Sequence, residues 1–355
     1  MNKKNEKCKF AKNTYEDWYK SALVTDYSGY HIIPNGILNK QDYSIIFDGA
    51  DGRCLIPPEA VNQINFYSNV EISPKVRNIL AESNIQINFY DKYGRLISSS
   101  IPASNTAGAY TVINQCRVIS DNKLRLYLAK NMEEASVHNL RSNIRQYAKS
   151  HPDLYEAENM LSNAVGEIKR ASDITQLMLI EARARQTYYS SFTKILKNSD
   201  FRFTVRSKHP PKDPVNALIS FGNTMLYSEF QKIIQMTELD IRLGIIHSSD
   251  RRYMNLNLDF ADIYKPVITD RIIFSMINRG QLPSADESFV QNTGSVYLSD
   301  AGKRAFVREY IKKINTSVQV NGHNISYKNI MTADVRALLS FINGAASNYR
   351  PYKYY

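Results

Sequence analysis

The feature that most restricts the fold of this sequence is one change of pattern along the chain. From Ser21 to about Pro102, short β-branched and aromatic runs alternate with turn signals, which is typical of strands. After about Gln115, apolar residues recur at helical spacing. Strands followed by helices favour two domains over an alternating βαβ sheet. We therefore predict an α+β protein, with a small N-terminal β-rich domain and a larger all-α domain.

The predicted elements follow from these local signals. In the first part, strands are predicted over residues 23–25, 31–33, 43–47, 64–67, 85–90 and 96–101. One helix interrupts them, because Ser73 can cap it, Pro74 suits its first position, and Val76, Ile79 and Leu80 form an apolar face. Later helices are predicted over 118–149, 153–170, 174–196, from Asp213-Pro214 onward, and over 333–342. The predicted boundaries are an arm over 1–20, a β-rich domain over 21–112 and a helical domain over 113–355.

Charge and cysteine usage narrow the classes of partner and compartment. The 355 residues include 45 Lys and Arg against 34 Asp and Glu, a formal net charge of +11, which favours a polyanionic partner. A basic protein without such a partner is the alternative. Cys8, Cys54 and Cys116 form no CxxC pair, so a reducing cytoplasm is expected and a thiolate zinc site is not. No apolar run predicts a membrane span, and the basic arm either contacts phosphate or is a frayed end.

Several common catalytic signatures are absent from the sequence. It lacks a Walker loop, a GxGxxG after a strand, an HExxH and a GxSxG, which counts against nucleotide hydrolases, dehydrogenases, zinc proteases and serine hydrolases. Acidic residues in a basic chain remain. Glu181 directly follows an apolar run, and its alternative interpretation is an i,i+4 ion pair with Arg185 on a solvated helix face.

One histidine and two aspartates complete the set of candidates. His247 lies where an apolar run meets a polar loop, which also suits a capping or half-buried structural residue. Asp259 and Asp262 share a helical face if their turn is helical, and a cation would relieve their repulsion. The alternative is a first helical turn enriched in Asp. Oxygen ligands with one imidazole suit Mg²⁺ or Mn²⁺ better than zinc, but the spacing alone does not show that these residues converge.

Several segments, in the same order and spacing along most of the chain, resemble the CRISPR-associated integrase family. This family provides the catalytic subunit of the spacer-acquisition complex. The longest is Arg206 to Asp270, where His209-Pro210-Pro211-Lys212-Asp213-Pro214-Val215-Asn216-Ala217-Leu218 is similar to a family element. Further similar segments are 181–188 around the catalytic glutamate, Leu243-Gly244-Ile245-Ile246-His247, Leu256 to Asp262, 87–94 in the β half and Tyr349-Arg350-Pro351-Tyr352. The resemblance extends from about Ser21 to Tyr355.

The resemblance implies a metal centre with Glu181, His247 and Asp262 as catalytic ligands of Mg²⁺ or Mn²⁺, and Asp259 as a supporting carboxylate. Two positions depart from the family pattern. Many relatives carry Glu where this chain has Asp262, which is one methylene shorter. Many also read Phe-Arg-Pro where this chain has Tyr264-Lys265-Pro266, and Lys lacks the bidentate fork that Arg offers to phosphate.

The implied activity is that of a metal-dependent DNA endonuclease and integrase, which inserts short DNA fragments into a repeat array by 3′-hydroxyl transesterification. The resemblance also implies a homodimer, formed through the β-rich domain, that clamps a small partner protein and double-stranded DNA. Basic residues near the ligands are candidate DNA contacts, or else solvated surface charges: Arg185, Arg206, Lys208, Arg251, Arg252, Lys265 and Arg271. A stand-alone nuclease on branched DNA and a non-catalytic DNA-binding scaffold are the alternatives.

Overall fold

The computed structural model describes residues 23–26, 29–49, 52–102, 108–247, 254–282 and 285–354. The chain divides into two compact units, Met1–Asn105 and Thr106–Tyr355. The first is β-rich and the second mostly helical, so the predicted α+β class is confirmed. The division lies before the predicted boundary between 112 and 113, because the first helix of the second unit already begins at Ala109. The predicted arm over 1–20 lies outside the described residues.

Two sheets make up the described part of the first unit. Their strands are β1 (Leu23–Asp26), β2 (Gly29–Ile32), β3 (Gly36–Gln41), β4 (Ser44–Gly49), β5 (Gly52–Ile56), β6 (Gln63–Phe66), β7 (Val70–Ile72), β8 (Gln86–Tyr90) and β9 (Leu96–Ser100), with helix α1 (Pro74–Glu82) after β7. One sheet has the order β1-β2-β6-β8-β9 and is parallel between β2, β6 and β8. The other has the order β5-β4-β3-β7.

Alternating side chains give the first unit its core. Ile64 lies opposite Ile87 and Phe66 opposite Phe89 in the parallel pair β6 and β8, and these side chains pack into one apolar cluster with Leu38 and other residues of the second sheet. Helix α1 adds Val76, Ile79 and Leu80 to that cluster, as predicted. Ser73 occupies the N-cap position, but its side chain makes no capping hydrogen bond, so that part of the prediction is wrong.

Two strands of the first unit, β3 and β5, were not predicted. Asn35 directly precedes β3, and Gly36 is its first residue. Gly36 lies so close to its neighbour strand that an added Cβ would be 2.4 Å from the Asp48 carbonyl oxygen. The glycine is therefore required by close strand packing.

The second unit is mostly helical. Its described helices are α2 (Ala109–Ser120), α3 (Asn122–Ala148), α4 (Tyr155–Arg170), α5 (Ile174–Ser190), α6 (Phe192–Ile195), α7 (Pro214–Gln235), α8 (Leu256–Tyr264), α9 (Thr269–Asn278), α10 (Ala285–Ser288), α11 (Asp300–Asn315) and α12 (Tyr327–Ile342). The Asp213 carboxylate accepts the Asn216 N–H at 2.8 Å, so the predicted cap of α7 is confirmed. Among the described helices, none combines the length and the apolarity that a membrane crossing needs.

The second unit is not all-α as predicted, because two β-hairpins interrupt it. Strands β10 (Phe289–Asn292) and β11 (Ser295–Leu298) form the first, and β12 (Ser317–Val320) and β13 (His323–Ser326) form the second. Asn321 and Gly322 connect β12 to β13 with φ angles of 50° and 83°, the left-handed conformation that a two-residue hairpin turn requires. This Asn-Gly signal between short alternating runs was overlooked in a region dominated by helices.

Helix α3 holds the end of helix α8 through its side chains. The last carbonyls of a helix lack internal partners, and Pro266 has no N–H with which to bind the Asp262 carbonyl. Ser136 donates to that carbonyl at 3.1 Å, and Asn139 donates to the Ile263 carbonyl at 2.9 Å. Asn143 donates to the Pro266 carbonyl at 3.1 Å. One polar stripe on α3 therefore fixes the backbone from which the Asp262 side chain projects.

We predict a measurable pH dependence of stability from buried Asp334. Burial raises the pKa of Asp334 to about 7, although its carboxylate accepts hydrogen bonds from the Tyr264 hydroxyl (2.6 Å) and the Tyr352 N–H (2.9 Å). The folded protein thus binds this proton more tightly than the unfolded chain, and stability falls as pH rises from about 4 to about 7. Asp334→Asn should reduce this slope by up to about 1.4 kcal/mol per pH unit, measured by urea unfolding between pH 5 and 8. The control is Asp200→Asn, because Asp200 is exposed. Equal slopes of stability against pH in the two variants would contradict the prediction.

Candidate active site

The Asp259 carboxylate organises the turn that carries His247. It accepts the N–H groups of Ile245 (2.6 Å), Ile246 (3.2 Å) and His247 (3.0 Å), and it lies 2.7 Å from His247 Nδ1. Gly244 permits this tight turn, because an added Cβ would be 2.2 Å from the His247 carbonyl oxygen. Asp259 is fully buried, and its hydrogen bonds to the main chain indicate that it positions the His247 turn rather than binding an ion. The imidazole is thereby oriented with Nε2 toward Asp262.

Helix α8 places Asp262 beside this histidine. Asp259 and Asp262 both lie within α8, so their predicted helical spacing is observed. His247 Nε2 is 3.9 Å from Asp262 Oδ2. Burial opposes protonation of His247, but the hydrogen bond and charge of Asp259 outweigh it and raise the pKa of His247. The carboxylates beside the imidazole therefore favour its protonated form.

Arg185 joins Glu181 on α5 to Asp262 on α8. Its Nε lies 2.5 Å from Glu181 Oε1, and its terminal nitrogen lies 3.1 Å from Asp262 Oδ1. The i,i+4 ion pair considered from the sequence does form, but it is buried, with Glu181 only 9% exposed, rather than on a solvated face. Lys265 also pairs with Asp262 Oδ1. Burial alone would raise the pKa of Asp262, but Arg185, Lys265 and His247 hold it well below its usual value.

A fourth acidic residue, Glu133 on α3, belongs to the same cluster and was missed by the sequence analysis. Its side chain is 1% exposed, and burial followed by the charge of Glu181 raises the pKa of Glu133 well above its usual range. Asp262 and Asp259 act in the same direction, while Arg185 opposes them. A signal was present in the sequence, since Glu133 interrupts the apolar face formed by Met132, Ala135 and Leu140 of a long helix.

The candidate DNA-contacting residues fall into different settings. Arg206 is held by the Asn216 side chain (2.8 Å) and the Ser220 hydroxyl (3.0 Å), which gives it a structural role. Lys208 is exposed at the surface, and partial burial of its ammonium group together with the charges of Lys265, Arg206 and Arg185 lowers its pKa. These four cations therefore form one positive group next to the carboxylates, which suits an anionic ligand.

The remaining basic candidates do not join this group within the described residues. The Arg271 guanidinium lies 4.0 Å from the centre of the Tyr354 ring, and its charge acts on Lys313 and Tyr147 instead. Lys265, by contrast, belongs to the positive group and stacks on Tyr227, with 4.7 Å between its ammonium nitrogen and the ring centre. Arg251 and Arg252 lie outside the described residues. Their predicted DNA contacts stay predictions.

The donor set of Glu181, His247 and Asp262 suits a divalent cation that prefers oxygen. Such an ion binds its ligands at about 2.1 Å, so two donors on one ion lie about 3–4 Å apart, and the 3.9 Å between His247 Nε2 and Asp262 Oδ2 fits this range. Within the described residues, no three such side chains are already arranged around one ion position. Arg185 and Lys265 lie against Asp262 instead, and they would have to shift for an ion to approach both of its oxygens.

Comparison with known proteins decides the family. The family described as "CRISPR associated protein Cas1" matches residues 30–312. The chain belongs to the Cas1 family. A curated relative, the CRISPR-associated endonuclease Cas1 of Clostridium perfringens, is 31% identical over 330 residues, which cover 91% of this chain and 98% of that protein. A Thermodesulfovibrio yellowstonii Cas1 endonuclease is 32% identical over 327 residues, covering 91% of this chain and 98% of the relative.

Solved Cas1 structures share the fold of this Cas1 protein. The Cas1 structure from Thermotoga maritima has a TM-score of 0.79 and 25% sequence identity, and the match covers 92% of this chain and all of that one. A casposase bound to an integration product has a TM-score of 0.80 at 18% identity, covering 90% of this chain and 92% of that chain, which shows the fold alone. The predicted family and its two-part architecture are therefore confirmed.

We predict that Asp259 controls the protonation of His247. Asp259→Asn removes the negative charge that favours the imidazolium, and the pKa of His247 should fall. The measurement is an NMR titration of the histidine ring protons in the metal-free protein, with Asp240→Asn as the control. Asp240 is also buried and bonded to an arginine, but it does not contact His247. An unchanged His247 pKa in Asp259→Asn would refute the proposed link.

Proposed function

We propose that this Cas1 protein is a metal-dependent DNA endonuclease and integrase that inserts short DNA fragments into a CRISPR repeat array. The observation that carries the proposal is the meeting of Glu181, His247 and Asp262 in one cluster beside a group of four cations. These residues come from α5, from the turn before α8, and from α8 itself. The names of the curated relatives support the endonuclease activity, and the casposase title supports integration on this fold.

In the proposed reaction, the 3′-hydroxyl of a DNA fragment attacks a phosphodiester of the repeat. A new bond forms between that oxygen and phosphorus, and the bond from phosphorus to the target 3′-oxygen breaks. The attacking hydroxyl loses its proton to solvent, and the released 3′-oxygen takes a proton from solvent to become a hydroxyl. Glu181, His247 and Asp262 would hold Mg²⁺ or Mn²⁺, which would supply positive charge to polarise the phosphate. With water as the nucleophile, the same site acts as an endonuclease.

The residues of the chain each contribute to this chemistry. Asp259 keeps the imidazole of His247 turned toward Asp262. Lys208, the exposed member of the cation group, binds phosphate of the DNA backbone, and Lys265 and Arg185 compensate the charge of Asp262. Arg206 holds the segment that carries Lys208. Its guanidinium donates to the side chains of Asn216 and Ser220 on α7, and the Asn216 side chain also accepts the N–H of residue 207.

We further propose that the protein acts as a homodimer, paired through its β-rich unit, and assembles with a small partner protein and double-stranded DNA. A structure titled "Cas6-RT-Cas1--Cas2 complex" contains a region of this fold, with a TM-score of 0.81 and 20% identity over 95% of this chain and 37% of that one. That title supports an assembly with a second protein. Two copies of the centre in a dimer would join both ends of a fragment.

We predict that the three proposed ligands are required for joining. Glu181→Gln, His247→Ala and Asp262→Asn should each reduce strand transfer of a free-ended fragment into a repeat plasmid by about a hundredfold or more, because each removes a donor from the centre. The control is Glu167→Gln, an exposed carboxylate that pairs with Arg183 on the surface. DNA degradation without covalent joining in the wild type would favour a stand-alone nuclease. A DNA-dependent phenotype that all three variants retain would favour a non-catalytic DNA-binding scaffold.

We predict that chelation stops the reaction without unfolding the protein. EDTA should abolish joining, since the carboxylates then lack the ion that polarises phosphate, and added Mg²⁺ or Mn²⁺ should restore it. The thermal unfolding midpoint should change little, because Arg185, Lys265 and His247 compensate the carboxylates when no ion is bound. Joining that persists in EDTA would contradict a metal-dependent mechanism.

A further inference from the structure

Helix α3 runs alongside α8 in a register that directs Glu133 toward the centre. Ser136, Asn139 and Asn143 contact the carbonyls of residues 262, 263 and 266 in that order, so the two helices run in the same direction. Their spacing of three and four residues marks one face of α3. One turn before Ser136 on this face is Glu133, and one turn before Asp262 on α8 is Asp259. The register therefore brings Glu133 to the level of Asp259.

Helix α5 reaches the same level from another side. The Asn143 amide donates to the Tyr188 hydroxyl at 2.7 Å, which joins α3 to α5. Arg185 lies one turn before Tyr188 on α5, and Glu181 lies one further turn back. Glu133 is accordingly among the groups whose charges act on each other, together with Glu181, Arg185, Asp262 and Asp259.

Glu133 is buried at this position without a hydrogen-bond partner for one of its oxygens. Its side chain is 1% exposed, and its Oε2 atom is fully buried and unpaired. A terminal nitrogen of Arg185 is also buried without a hydrogen bond, although it lies 3.1 Å from Asp262 in an ion pair. A buried carboxyl oxygen without a partner is costly, and it is uncommon unless the group serves a ligand.

We propose that Glu133 is a fourth acidic residue of the metal centre and strengthens its binding of a divalent cation. The inference depends on the metal site of the proposed function and extends it by one residue. Without an ion, burial and the neighbouring carboxylates raise the pKa of Glu133 and favour its neutral form. A bound divalent cation reverses this balance, because its two positive charges favour an ionised carboxylate in a buried site. Glu133 then attracts the ion, either as a direct ligand or from behind Asp259.

The adjacent residue provides a matched control. Glu134 lies on the same helix, but its carboxylate pairs with Lys353 at 2.6 Å and with Lys169 at 3.8 Å, and it is not among the groups that act on Glu133. Glu133→Gln and Glu134→Gln make the same chemical change one residue apart. A structural role of Glu133 would alter stability in both the presence and the absence of metal, whereas the proposed role alters metal affinity.

The test is Mn²⁺ binding to the full-length protein without DNA, measured by electron paramagnetic resonance of free Mn²⁺. Glu133→Gln should raise the Mn²⁺ Kd about tenfold or more, and Glu134→Gln should leave it within about twofold of the wild type. The metal-free thermal midpoint of Glu133→Gln should match that of the wild type, since glutamine has the shape of the neutral acid. Equal Kd values for the two variants would overturn the proposal.

Two further results separate this inference from the function on which it depends. If the wild type binds no Mn²⁺, the metal site itself fails, and the role of Glu133 fails with it. If the wild type binds Mn²⁺ and Glu181→Gln abolishes binding while Glu133→Gln does not weaken it, only the present inference fails. Glu133→Met serves as a second neutral variant that suits the apolar face of α3, and it should weaken binding in the same way, should the glutamine variant not fold.

Discussion

Two carboxylates from different helices lie together in this Cas1 protein because one buried guanidinium lies between them. Arg185 contacts Glu181 on its own helix and Asp262 on α8. Two negative charges at this depth would repel each other strongly without a cation. The arginine also lies at the level where α3 contributes Glu133 and where the turn before α8 contributes His247. The centre is therefore assembled around a positive charge that belongs to the protein, before any metal is considered.

The contacts of Arg185 also explain why most residues of the centre could be identified from the sequence, whereas the contacts between them could not. The resemblance identified Glu181, His247 and Asp262, and spacing placed Asp259 and Asp262 on one helical face. The i,i+4 rule correctly paired Glu181 with Arg185, but it could not show that this pair is buried or that Asp262 shares it. Such a contact joins residues far apart in sequence, and no local pattern records it.

The fold shows a similar division between local signals and long-range contacts. Asp213-Pro214 predicted the start of α7 because capping depends on residues within one turn. Glu133 was missed because a single acid on a long helix is usually solvated, and only the packing of α3 against α8 shows otherwise. The β12–β13 hairpin was missed for a different reason, since Asn321-Gly322 is a strong local signal that the helical surroundings outweighed in the interpretation. The bonds of Arg206 to Asn216 and Ser220 depend on the path of a loop, which no local pattern records.

The Asn139 side chain links the last described segment of the chain to the catalytic helix. Its amide nitrogen donates to the Ile263 carbonyl (2.9 Å) and to the Tyr352 carbonyl (3.2 Å), and its oxygen accepts the Tyr354 N–H at 2.7 Å. One amide thus serves both the support of α8 and the docking of residues 352–354. Pulling this segment away, for example by a bulky fusion placed after it, would free a side chain that also supports the backbone next to Asp262. Fusions and labels placed directly after residue 354 would then disturb the centre at a distance.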